Sequence, residues 1–197
     1  MTSSDSRGLF RGLVEFPWPP HVLVLSYFGN DLHEAAEELG FVPPAHVPYG
    51  DLPAPVRAVV QRSYFLDYLY WSWPRGELFG WWGFFQRAWG DPRVVALHER
   101  DLEKFVQYSR DRKVPMVVVL FPFLHDAETS ALYVPRVKAF FEARGVRVID
   151  ASTLVADLPV SERIATVNDV HPSPLVHARV ADALAKELPE LIAAEAR

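Results

Sequence analysis

The chain has 197 residues, half of them hydrophobic and 23% charged, a balance that suits one domain with a sizeable core and excludes a chain disordered as a whole. Twenty Lys+Arg against 25 Asp+Glu give a net charge of -5, which argues against nucleic acid as a partner, because a phosphate-backbone binder needs a clustered basic surface. With no cysteine, a disulfide framework, a thiolate nucleophile and a thiolate zinc site are excluded.

No apolar run near residue 1 has the length of a signal peptide, and no uncharged stretch reaches the roughly 20 residues of a membrane span, so the compartment stays open. Leu9, Phe10, Leu13 and Val14 have helical spacing, and Pro17, Pro19 and Pro20 stop that helix. Val22 to Phe28 is short, apolar and rich in β-branched and aromatic residues; closed by Gly29-Asn30-Asp31, it reads as a buried strand. Leu32, Ala35, Ala36 and Leu39 mark a short helix that Gly40 ends.

A proline-rich loop from Pro43 to Pro55 opens an insertion over about residues 43–91, in which Tyr64 to Trp89 holds five of the six tryptophans. Such ring density can serve as an acyl-binding lid, a sugar-stacking platform or an interfacial anchor. The simpler expectation is a helical insertion packing its rings on the sheet, broken by Pro74, Gly76, Gly80 and Gly83 into a helix–turn–helix flap over the crevice.

Asp91-Pro92 is a cap and first-turn pair, and Val95, Leu102, Phe105 and Val106 give the helix it opens one apolar face, ending near Arg110. Val114 to Phe121 is a second buried strand, ended by Pro122. Val137, Phe140 and Phe141 share a face of the next helix, Gly145 ends it, and Val146 to Ile149 form a third strand closing at Asp150. Val176, Val180, Leu184 and Leu188 recur every fourth residue after Pro174 and make a last amphipathic helix. Apolar strands alternating with helices predict an α/β fold over residues 1–197: one domain with an open, doubly wound, flavodoxin-like parallel sheet.

Ligands of open parallel sheets bind beyond the carboxyl ends of the strands. Three polar groups fall there: Gly29-Asn30-Asp31, Pro122 to Asp126, and Asn168-Asp169-Val170-His171. The Asn30 amide can donate to a developing oxyanion, His171 is held next to the stiff Pro172-Ser173-Pro174, and Asp169 can hold the ring tautomer. A donor, a base and an orienter are thus present without a nucleophile. The bland alternatives are a turn role for Asn30, a surface histidine at position 171 and a helix cap for Asp169; His33, His98 and His177, on predicted helices, read as structural or solvent-facing.

LSYFGNDL (Leu25 to Leu32) resembles the block of SGNH (GDSL-type) hydrolases that contains the oxyanion-hole Asn, and NDVHPSPLVHARVADAL (Asn168 to Leu184) resembles their closing Asp–His block and following helix, in the family's order. The resemblance implies an ester hydrolase working by Ser-His-Asp chemistry on a small-molecule, lipid or glycan ester, with no cofactor. It makes Asn30 the oxyanion donor, His171 the general base and Asp169 its orienter. Hydrolysis and acyl transfer share the acyl-enzyme step and are not distinguished.

Two departures stand out. One residue separates Asp169 from His171 where the family commonly has two, which leaves Asn168 as an alternative orienter. The family's first strand with its Gly-Asp-Ser nucleophile, and the second strand with its loop glycine, have no counterpart here, so the resemblance implies an incomplete form without the Ser. In the family's order that first strand lies beside Val22 to Phe28, so an unpaired apolar edge is expected. Asp5-Ser6 follows no apolar strand and makes a poor displaced nucleophile. Asp169-Val170-His171 and Gly29-Asn30 also resemble, superficially, motifs of metallophosphoesterases, but in reversed order and with His33 not adjacent to Asn30, so no metal is expected. The rival to an enzyme is a non-catalytic scaffold that holds a glycan, lipid or protein through its aromatic insertion.

Overall fold

In a computed structural model, residues 6–18, 20–44, 49–72, 81–167 and 169–195 are described. Strands β1 (Leu23–Phe28), β2 (Met116–Phe121) and β3 (Arg147–Asp150) form one parallel sheet in that spatial order. Leu23 pairs with Met116 and Phe28 with Phe121, while Val117 pairs with Arg147 and Leu120 with Asp150. The two-residue period of a strand sends Met116, Val118 and Leu120 into one apolar cluster and Val117, Val119 and Phe121 into another on the opposite face. All six β2 residues are therefore buried, which is why this strand reads as unbroken apolar sequence.

The first face is covered by α1 (Ser6–Glu15), which precedes β1, then by α2 (His33–Glu38), α5 (Trp81–Gly90) and α6 (Pro92–Arg112), which lie between β1 and β2. Helices α3 (Ala54–Val60) and α4 (Tyr64–Ser72) come between α2 and α5. After β2 come α7 (Ala127–Ala131) and α8 (Val134–Glu142), the latter placing Val134, Val137, Phe140 and Phe141 in the first cluster. The second face is covered after β3 by α9 (Ala151–Leu154) and by the long α11 (Pro174–Glu195), through Ala151, Val176 and Val180. Helices on both faces of a parallel sheet make the α/β, doubly wound class that the strand and helix alternation predicts.

The stop signals act as expected. Gly40 and Gly145 adopt φ of 86° and 76°, the left-handed region that favours glycine, and Asp91 accepts the Arg93 N–H at 2.8 Å to cap α6. Observed strands begin one or two residues later than the apolar runs, and α6 continues to Arg112. Unanticipated elements are the short helices α7, α9 and α10 (Val160–Arg163) and an antiparallel pair, β4 (Ile164–Thr166) with β5 (Asp169–Pro172), all too short to carry a readable period.

The aromatic segment divides. In α5, Phe84, Phe85 and Trp89 are buried in the first cluster, and Trp89 stacks on Tyr133 with centroids 5.3 Å apart, which is the ring-packing expected of the insertion. Pro74, Gly76 and Gly80, expected to turn the chain, lie outside the described residues, and Gly83 lies within α5.

Strand β1 has one partner, β2, among the described residues. Leu23 donates its N–H to Pro115 O, so the alternation of backbone groups turns the N–H of Val24, Ser26 and Phe28 away from β2. Asp31 Oδ2 accepts that of Phe28 at 3.0 Å, and the side chains of Val24 and Ser26 are exposed. An uncharged apolar edge strand is a template for intermolecular pairing, and a lysine there opposes it. Val24→Lys is expected to reduce light scattering in concentrated solution while leaving the urea unfolding free energy within about 0.5 kcal/mol; unchanged scattering would exclude β1 as the aggregating edge.

Candidate active site

The β4–β5 hairpin carries the Asp169–His171 pair just before α11. His171 Nδ1 lies 2.6 Å from Asp169 Oδ1, and the same oxygen accepts the His171 backbone N–H at 3.1 Å. Asp169 donates its own N–H to Thr166 Oγ1 at 3.0 Å, which locks the carboxylate into the turn. These bonds, the side-chain bond from His171 foremost, hold the Asp169 carboxyl below the usual carboxylate range. An ionised carboxylate only accepts, so Nδ1–H is the donor of this bond and Nε2 is the ring nitrogen that Asp169 does not engage. The imidazole is 82% exposed, so Nε2 has an open approach.

The cap role weighed for Asp169 belongs to another residue. Ser173 Oγ accepts the Val176 N–H at 3.3 Å at the entrance of α11 and donates to Glu162 O at 2.5 Å, while Ser173 N–H donates to Arg163 O. These bonds anchor the start of α11 to the segment that leads into β4. Asn168, the alternative orienter, lies outside the described residues.

Asn30 sits on the turn after β1, exposed, with its carbonyl accepting the His33 N–H at 3.1 Å. Its neighbour Asp31 is buried and supports the turn through the Phe28 N–H. Phe28, two residues before Asn30, stacks on Phe121 at the end of β2 with centroids 4.7 Å apart. The His177 ring, in the first turn of α11, lies 6.2 Å from Phe121. Phe28 and Val170, the residue before His171, both pack against the second cluster, to which Phe121 belongs. Among the described residues no hydrogen bond or ion pair joins Asn30 to His171; what relates the two segments is this shared packing.

Two features of this region were not legible from the sequence. Ser6, at the start of α1, is buried and donates its hydroxyl to Asp31 O at 3.2 Å, so the first helix returns to the Asn30 turn. In the loop after β2, both His125 ring nitrogens are buried without a hydrogen-bond partner, beneath Trp82 at 4.7 Å between centroids. Burial lowers the His125 pKa, the nearby Asp126 carboxylate opposing it, so this ring favours its neutral form. Its position within Pro122 to Asp126, one of the three polar strand ends, was the available signal; its buried nitrogens were not predictable. Of the remaining helix histidines, His177 is exposed, His33 is half-buried against Trp81 and Phe84, and His98 is fully enclosed.

No protein-family model, curated protein or solved structure matches the chain.

Proposed function

We propose that the chain is the framework of an SGNH-type ester hydrolase in which His171 is the general base, Asp169 its orienter and Asn30 an oxyanion donor. One observation carries this reading: the 2.6 Å contact between His171 Nδ1 and Asp169 Oδ1, which leaves the exposed ring with Nε2 turned away from the carboxylate. In the chemistry that follows, a serine hydroxyl attacks an acyl carbonyl and passes its proton to Nε2. His171 returns that proton to the departing alkoxide, and the Asn30 amide donates to the tetrahedral oxyanion. Water, activated by the same nitrogen, then releases the acyl group. Gly-Asp-Ser, the family's nucleophile motif, does not occur in the 197 residues.

A short-chain aryl ester provides the test. The 197-residue chain is expected to turn it over no faster than its His171→Ala variant. Joined to a strand ending in Gly-Asp-Ser ahead of residue 1, it is expected to hydrolyse the ester; His171→Ala should then abolish turnover, and Asn30→Ala should lower it by about 10²–10³. Turnover by the joined form that survives His171→Ala would refute the assignment. No turnover by any form, with binding of a glycan or lipid retained, would favour the non-catalytic scaffold.

A further inference from the structure

The connections that leave β2 and β3 diverge. After β2 the chain passes to α8, which packs in the first apolar cluster, whereas after β3 it passes to α9 and Val155, which pack against the opposite face of the sheet. Neighbouring parallel strands whose exits turn to opposite faces leave a crevice between their carboxyl ends, and ligands of open sheets bind in such crevices. A cavity of about 240 Å³ lies there, between Phe123 and Leu124 after β2, Ser130 and Val134 of α7 and α8, and Ser152 and Val155 after β3. Leu124, Val134 and Val155 are buried, so the deep part of the lining is apolar. The volume is below the roughly 300–1,000 Å³ of sites for drug-sized ligands, which sets a smaller occupant.

Among the described residues that line this cavity, Arg163 alone is charged. Its Nε donates to Leu158 O at 2.7 Å and its Nη2 to Ala156 O at 3.4 Å, and these carbonyls fix the guanidinium without neutralising it. It joins no ion pair with a described residue: Asp157, a carboxylate that feels its charge, is held by both terminal nitrogens of Arg179. Nη1 therefore keeps its N–H groups for a guest. The two serines differ in this respect. Ser130 Oγ donates to Asp126 O at 2.6 Å and Ser152 Oγ to Asp150 Oδ1 at 2.6 Å, so both turn lone pairs, not donors, to the cavity. An acceptor on the guest must meet Arg163.

The surrounding charges limit that acceptor to one negative charge. Asp126, Glu128, Asp150 and Glu162 adjoin lining residues in the sequence. Asp126 and Asp150 are turned to the N–H groups of Thr129 and Ser152 that they cap, and Glu128 and Glu162 are exposed. One guanidinium in this setting suits a carboxylate and opposes a phosphate dianion, whose second charge would meet no cation in the lining. We infer that the crevice between the carboxyl ends of β2 and β3 binds a small aliphatic monocarboxylate, its chain against Leu124, Val134 and Val155 and its carboxylate on Arg163 Nη1.

The inference is independent of the ester-hydrolase reading, since neither Asn30 nor His171 lines the cavity, and it is tested by binding without any activity. Hexanoate titrated into the chain at neutral pH is expected to bind by calorimetry, and hexanamide, its uncharged counterpart, at least tenfold more weakly. Arg163→Gln is expected to lower hexanoate affinity tenfold or more and to remove the preference over the amide. Ala131 lines the cavity from an exposed position on α7, so Ala131→Phe should obstruct hexanoate while far-UV dichroism and thermal midpoint stay unchanged. This second variant decides the matter if Arg163→Gln fails to fold. The inference is overturned if hexanoate does not bind, if hexanamide binds as tightly, or if either folded variant keeps the full affinity for hexanoate.

Discussion

Replacing Gly29 by alanine is expected to destabilise the protein by about 3 kcal/mol, near the upper end of ordinary overpacking, and to lower its thermal midpoint by about 6–12 °C. The cause is close approach. A Cβ on Gly29 would lie 2.5 and 2.6 Å from Cε1 and Cζ of Tyr133 and 3.0 Å from Cε2 of Phe123. Tyr133 has nowhere to retreat: it is fully buried, stacked on Trp89, and donates its hydroxyl to Phe121 O at 2.8 Å. Trp89 in turn donates its indole N–H to Gly29 O at 2.8 Å. The glycine is therefore held in a closed set of contacts that joins the ends of β1 and β2 to α5 and to the start of α8. Making room for one methyl group strains the stack or breaks one of its hydrogen bonds, and Asn30 moves with its neighbour. Urea unfolding at neutral pH measures the effect; a loss under 0.5 kcal/mol would show that Tyr133 yields freely and that Gly29 is dispensable.

Acid should weaken the protein well above the range in which its carboxylates titrate. His98, on α6, is almost wholly enclosed, with Nε2 2.7 Å from the Tyr27 hydroxyl and no partner for Nδ1. Burial, against the opposing pull of the Asp101 carboxylate and with the help of the Arg7 guanidinium, pushes its pKa down to about 4. In the unfolded chain the same ring titrates at about 6.5. Between these values the unfolded state binds a proton that the native state refuses, so stability falls as pH drops through the window from about 6.5 to about 4. The loss approaches about 3 kcal/mol at the lower end and stops growing once both states are protonated. Asp91, Asp126, Asp157 and Asp169 also have lowered pKa values, but these lie below the usual carboxylate range, so their contributions are lost at still lower pH. Urea midpoints at pH 7.5, 5.5 and 4.5 separate the two windows. His98→Gln can still hydrogen-bond Tyr27 but does not titrate, so its stability should vary much less across this range. An equally steep fall in the variant would trace the acid sensitivity to another group.

The candidate site was legible in part. Asp169 and His171 are two residues apart in the sequence, so the local pattern offered the pair but left Asn168 as an alternative orienter; the contact between Asp169 and His171 within one short hairpin is seen only in the structure. The turn at Asn30 was legible from Gly29-Asn30-Asp31 closing an apolar run, yet its support was not. Ser6 reaches Asp31 across 25 positions, and Trp89 reaches Gly29 across 60. Likewise His98 had the spacing of an ordinary helix residue, and nothing near it announced a buried hydrogen bond to Tyr27, 71 positions away.

The sequence by itself determined the parallel α/β frame, because a strand buried on both faces must be apolar at every position, and because caps and left-handed glycines act over a few neighbouring residues. Asp91, Gly40 and Gly145 punctuate their helices with groups found within a turn of them. Tertiary structure alone decided which rings of the aromatic segment entered the core and which faced outward. Phe84 and Phe65 are the same residue type on neighbouring helices, one fully buried and the other 68% exposed. That difference depends on whether another element arrives to cover the ring, and no property of the residue itself records it.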